Sequence, residues 1–162
     1  AIQTSRKLAA AVRGKKITRV HAKVHPNVVV VANQSNPQTP LAHKFSVRYC
    51  MAMGLTGYRL VASDFTEKLV QEVTELEVVT DQPQYEAHLD VWVEGKAEPH
   101  HADTTVVLGH ADNPMSPDEV WGKFDGLVTP VLGSQKAKAL FDVLQQWDAP
   151  GSLGKLNQLV AK

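Results

Sequence analysis

The sequence predicts an α+β fold, a small antiparallel sheet with helices packed on it, followed by a C-terminal helical tail. Three observations lead there. Apolar residues alternate with period two over Lys16–His25 and Tyr85–Val93, the spacing of half-buried strands. They recur at helical spacing in Ile2–Arg13 and again beyond Ser116. Between these lies a proline-rich approach, Pro37 and Pro40, that leads into the apolar run Tyr49–Leu55. The division that follows is an N-terminal helix over 1–14, an α+β domain over 15–110 and a helical tail over 111–162.

In order along the chain, Ile2–Arg13 places Leu8, Ala9 and Val12 on one helical face, and Gly14 stands at its stop among basic residues that suit the helix dipole. Ala1-Ile2 enters this helix without a capping residue, as expected after removal of an initiating Met or within a larger protein. Lys16–His25 alternates with Ile17, Arg19, His21, Lys23 and His25 on one face and Thr18, Val20, Ala22 and Val24 on the other. Val28–Ala32 is open between strand, for its valines, and a helical turn, for the Pro26 before them. A buried helix is expected from Val47 to Leu55, with Gly54 and Gly57 marking close packing or a stop. Ser63-Asp64 predicts the cap of a short helix continuing through Glu67–Thr74, and Glu75–Thr80 reads as a strand. A hairpin follows, Tyr85–Val93, then Glu94-Gly95, then Lys96–Leu108, with Pro99 pointing to a bulge or an edge position. Ser116-Pro117-Asp118-Glu119 is a capping box that opens a helix carrying Val120, Trp121, Phe124 and Leu127. Two more helices are expected, Gln135 to about Trp147 and Leu153–Val160.

Composition narrows the partners. With 17 basic and 17 acidic residues in 162, no net field draws the chain to nucleic acid or to an acidic membrane surface. No apolar run reaches the roughly 20 residues needed to span a bilayer, and a cytoplasmic location is expected. The single cysteine, Cys50, lies in the apolar run and reads as a buried structural thiol.

Neither a phosphate-binding glycine loop nor a G-x-S-x-G or H-E-x-x-H motif occurs. Seven histidines raise the question of a metal. Four residues apart in a strand, His21 and His25 lie about 13 Å apart, too far to share an ion. His100 and His101 are adjacent and so face opposite sides of a strand, and with Glu98 and Asp103 they match no ligand spacing. No metal site is expected. Lys44, Ser46 and Tyr49 are the stronger candidates: a tyrosine hydroxyl can move a proton and a lysine can hold a carboxylate. From spacing alone the better reading is a Tyr that tips a buried helix and a solvated Lys, since no matched acid–base partner stands out in the sequence.

Asn36-Pro37-Gln38-Thr39, then His43-Lys44-Phe45-Ser46-Val47-Arg48-Tyr49, then an apolar helix ending near Gly57, resembles the C-terminal part of the MmgE/PrpD family. That family includes 2-methylcitrate dehydratase, cis-aconitate decarboxylase and iminodisuccinate epimerase. Its pattern is close to P-x-T-x-x-x-A-K-F-S-x-P-Y; this chain keeps the Pro, Thr, Lys, Phe, Ser and Tyr, with His43 in place of the usual Ala and Arg48 in place of the usual Pro. Gly109, Asn113-Pro114, the Ser116–Glu119 cap and Lys123-Phe124 are similar to a second family run, and the likeness extends over essentially the whole chain.

The resemblance implies a lid region that closes one side of an active site, with a returning helical tail. It implies cofactor-free lyase or isomerase chemistry on a small di- or tricarboxylic acid. The catalytic Asp and most of the family's histidines belong to a separate helical domain, so this chain is expected to need that domain or chain as a partner. Tyr49 carries over as the catalytic residue, and Lys44 and Ser46 as residues that fix the motif or bind a substrate carboxylate. Tail residues Trp121, Phe124, Leu140, Leu144 and Trp147 need a surface to cover, which makes a homo-oligomer the expectation where the helical domain is absent. The rival expectation is a non-catalytic lid that serves as a binding or oligomerisation module.

Overall fold

The structure, a computed structural model, describes residues 1–57 and 72–161, so the predicted cap at Ser63-Asp64 lies outside the described residues. Two compact units divide the chain, Ala1–Leu108 and Gly109–Lys162. The first unit holds α1 (Ile2–Val12), β1 (Ile17–Val24), α2 (Pro26–Val31), α3 (Pro40–Lys44), α4 (Val47–Leu55), β2 (Thr74–Val78), β3 (Ala87–Val93) and β4 (His100–Thr104). The fold class is α+β, as the periodicities predict.

The four strands run in the order β2-β1-β3-β4. β1 pairs with β3, and β3 with β4, antiparallel, but β1 and β2 are parallel, in register from Val20↔Thr74 to Val24↔Val78. The sheet is therefore mixed rather than antiparallel. A short strand's composition does not encode its direction; the helical crossover between β1 and β2, which includes α4, allows the parallel pairing. The hairpin's return strand is also shorter than its sequence range, because it starts only after Pro99, and β4 lies at the sheet edge where a neighbouring proline is tolerated.

One face of the sheet carries the core. Val20, Ala22 and Val24 of β1, Leu89, Val91 and Val93 of β3 and Ala102 of β4 meet Leu8 and Val12 of α1 and Val47, Met51, Ala52 and Leu55 of α4. Ile17 joins them, although strict alternation would place it with Arg19 on the polar face. The β1–β3 register shifts between Ile17 and Arg19, and the extra residue of that bulge turns Ile17 inward. Gly54 lets α4 approach α1: a Cβ there would lie 2.0 Å from Ser5 Oγ and 2.9 Å from the Ile2 carbonyl oxygen. Thr4 of α1 donates its hydroxyl to Thr104 Oγ1 of β4 at 3.0 Å, both buried, which ties the helix to the edge strand.

Charged residues fill the opposite face. Arg19 makes paired hydrogen bonds with Glu75 at 2.7 and 3.1 Å and lies 4.7 Å from the Trp92 ring. His101 reaches Asp90 through Nδ1 at 2.6 Å and Asp103 through Nε2 at 3.0 Å, while His88 Nδ1 meets Asp103 at 2.6 Å. His100 alternates to the other side of β4. The ambiguous segment after His25 is the helix α2: Pro26 occupies its first turn, and His25 Nδ1 accepts from Asn27 N at 3.1 Å.

The second unit consists of α5 (Pro117–Leu132), α6 (Ser134–Leu144) and α7 (Ser152–Val160). The predicted capping box opens α5, with the Ser116 hydroxyl accepting from Glu119 N at 3.3 Å and the Glu119 carboxylate from Ser116 N at 2.8 Å. Trp121 and Phe124 of α5 close on Phe141 of α6, ring centroids 4.9 and 5.1 Å away. Leu127 and Val131 remain exposed, as do Trp147 and Leu153.

Candidate functional site

The polar motif of the sequence forms a corner where α3 turns into α4. Thr39 caps α3 through its hydroxyl, which accepts from Ala42 N at 3.1 Å, and Pro40 stands in the first turn. Phe45 breaks the helix, and the chain restarts at Ser46. There the hydroxyl accepts from Tyr49 N at 3.3 Å as the N-cap of α4. Two backbone bonds pin the corner to the segment after α2, Gln34 N to the Phe45 carbonyl at 3.0 Å and Val47 N to the Ala32 carbonyl at 2.7 Å. Beneath it, α4 is anchored by buried Met51, Ala52 and Leu55, so the first turn of α4 stands on a rigid base.

Each motif residue has a distinct place. Tyr49 is half-buried in the first turn of α4. Lys44 is exposed at the end of α3. Ser46 is buried, with its oxygen committed to the cap. Arg48 reaches Asn33 Oδ1 with Nη1 at 2.7 Å and the Thr74 carbonyl with Nε at 3.3 Å, binding the corner to the start of β2. Cys50 donates its thiol to the His43 carbonyl at 3.7 Å, and burial pushes that thiol's pKa up, as befits a structural cysteine.

His43 is the residue whose part the sequence did not reveal. Its ring lies flat on the Tyr49 ring, centroids 4.0 Å apart and planes within 2°. Its Nε2–H donates to the Pro37 carbonyl at 3.2 Å. The two rings are six residues apart across a helix break, a separation that no helical or strand period brings together. The usable signal was that His43 and Arg48 are the two departures from the family pattern, and both are engaged at this corner.

Of the other histidines, His88 and His101 share Asp103 on the charged sheet face. His21 pairs with Glu77 at 3.1 Å, and His25 caps α2. Among the described residues no three His, Cys, Asp or Glu side chains converge in a geometry that could hold a metal ion. A cleft of about 420 Å3 lies at the far, C-terminal end of α4, lined by Arg13, Lys15, Lys16, Leu55 and Thr56. It is roughly 10 Å along the helix from Tyr49 and no part of the motif.

These features define an α+β module with a polar corner between α3 and α4, and a second unit of three helices. The chain belongs to the MmgE/PrpD family, whose C-terminal domain matches residues 1–149. No curated protein matches the chain. No helix among the described residues is long and apolar enough to cross a membrane.

Proposed function

We propose that this chain forms the lid side of an MmgE/PrpD-type lyase or isomerase that acts without a cofactor on a small di- or tricarboxylic acid. The observation that carries the reading is the match of the MmgE/PrpD C-terminal domain to residues 1–149, which include the whole motif around Tyr49. In this reading Tyr49 hydrogen-bonds the substrate or transfers a proton to or from it through its hydroxyl. Lys44, exposed one helix end away, meets a carboxylate. Ser46 serves by holding the first turn of α4 through its cap.

The opposite wall, with the proton-abstracting groups, comes from a histidine-rich helical domain in the same polypeptide or in another chain. Apolar side chains around the corner support a docked partner: Val30 and Val31 of α2 are 81% and 61% exposed, and Leu41 of α3 is 65% exposed. The alternative, a non-catalytic module that self-associates, is favoured by the tail, where Trp147 is 75% exposed and Leu127 68%.

Turnover of 2-methylcitrate and cis-aconitate, measured with the helical domain supplied, tests the reading. Tyr49→Phe is expected to lower kcat by about a hundredfold or more with little change in KM. A Tyr49→Phe protein as active as wild type would remove Tyr49 from the chemistry. Absence of turnover with any helical partner, together with self-association by light scattering, would favour the assembly module.

A further inference from the structure

We infer that His43 is a positioning residue for Tyr49, fixing the phenol ring by face-to-face stacking while itself anchored to the Pro37 carbonyl. The inference rests on the proposed role of Tyr49 for its functional consequence, and on geometry alone for the positioning.

The α4 cap holds the backbone of Tyr49, and two side-chain torsions set the plane of its ring and the direction of its hydroxyl. Val47, Met51, Ala52 and Met53 of α4 are buried, while Tyr49 itself is only half-buried. A flat imidazole with its centroid 4.0 Å from that of the phenol ring, tilted by 2°, restricts the phenol ring to one plane and one side of α4. His43 is in turn fixed at its main chain and at its ring. Its backbone carbonyl accepts from the Cys50 thiol, and its Nε2–H donates to the Pro37 carbonyl at 3.2 Å. Pro37 belongs to the stiff approach to α3, so the clamp leads from a restrained backbone through one ring to the next.

The Nε2 bond also sets the imidazole's tautomer, because a carbonyl oxygen can only accept. Nε2 carries the proton in the neutral ring, leaving Nδ1 as the acceptor nitrogen. Where the family pattern has a proline directly before the tyrosine, this chain has Arg48, whose backbone is freer. Here the restraint on Tyr49 comes from across the helix break instead, through His43, and Arg48 is tied to Asn33 and Thr74.

Three variants separate the parts of the clamp: His43→Ala removes both stack and anchor, His43→Phe keeps a flat ring, and His43→Gln keeps a donor for Pro37. NMR of the chain with 13C-labelled tyrosine rings reads the stack directly, with Tyr49 assigned by its loss in Tyr49→Phe. Wild type and His43→Phe are expected to show Tyr49 ring protons shifted upfield by the neighbouring ring, and His43→Ala and His43→Gln to lose that shift. With the helical domain supplied, His43→Ala is expected to lower kcat for 2-methylcitrate or cis-aconitate about ten- to a hundredfold with KM within about twofold, and His43→Phe to recover most of it. In a Tyr49→Phe background His43→Ala should cost nothing further. Unchanged Tyr49 ring shifts in His43→Ala would overturn the clamp. A lost shift with kcat unchanged, while Tyr49→Phe abolishes turnover, would overturn the positioning role. Full activity in Tyr49→Phe would instead overturn the proposed role of Tyr49, leaving the ring stack to be judged by the NMR arm alone.

Discussion

Replacing Gly54 by alanine measures how closely α1 and α4 are fitted, and hence how firmly the corner bearing Tyr49 is held. In an isolated helix the change would favour folding by about 0.8–1.0 kcal/mol. Here the added Cβ would come within 2.0 Å of Ser5 Oγ and 2.9 Å of both Ser5 Cβ and the Ile2 carbonyl oxygen. Ser5 cannot simply swing away. It is buried, and its hydroxyl donates within α1 to the Ala1 and Ile2 carbonyls at 3.0 and 2.9 Å. Relief therefore requires α4 and α1 to separate, an overpacking cost of roughly 2–3 kcal/mol, at the upper end of the usual range because backbone is involved. The propensity gain offsets part of it, leaving a net loss of about 1–2 kcal/mol. With a urea slope of about 2 kcal/mol per M, the midpoint falls by about 0.5–1 M. Trp92 fluorescence reports the first unit when Trp121 and Trp147 are changed to Phe. Gly122→Ala, in α5 of the second unit, is the control: a Cβ there meets nothing within 4 Å, so the Trp92 midpoint should not fall. A Gly54→Ala midpoint equal to or above wild type would refute the close fit and the idea that α4 has a rigid base.

Further outcomes follow from the same structure. Ser46→Ala removes the cap of α4 and is expected to destabilise the first unit by about 1 kcal/mol, read as a lower urea midpoint, with Ser46→Asp or Ser46→Thr recovering part of the loss. Stability should depend on pH through the charged sheet face. Hydrogen bonds with Asp90 and then Asp103 raise the pKa of His101, so its contribution is complete below the unfolded value near about 6.5 and is lost as pH rises through the folded value. Asp103 is held low, chiefly by its bond with His88, so its contribution is present above about pH 3.9 and lost as pH falls through its folded value. His101→Gln should therefore flatten the decline of the urea midpoint as pH rises above about 6.5, and added salt should weaken the effect because these groups are exposed. An unchanged slope in His101→Gln would show that the network contributes nothing there.

Sequence reasoning located the buried helix Val47–Leu55, the capping box at Ser116 and the alternation of β3, because each depends on neighbours within a few residues. It placed Ile17 with the polar residues, since one bulge is invisible to a pattern of strict alternation. The return strand was expected from Lys96 onward but begins at His100, where the chain finally regains the register of β3. At the site, the motif alone singled out Lys44, Ser46 and Tyr49 and left open how they act. The structure separates them: Ser46 is buried at a cap, Lys44 is exposed, and Tyr49 is half-buried under a ring that the motif offered no reason to connect with it.

By itself the sequence determined the α+β class, the capped start of α5 and the family, all of them properties carried by local chemistry or by order along the chain, while α2 was left open and the helix at Pro40–Lys44 was not expected. Only the tertiary structure decided that β1 and β2 run parallel, that Gly54 exists to admit Ser5, and that His43 covers Tyr49. The reason is physical. Caps and periodicities are settled by hydrogen bonds and side-chain directions over one or two turns, whereas strand direction, helix approach and ring stacking depend on where separate segments meet once the core has closed.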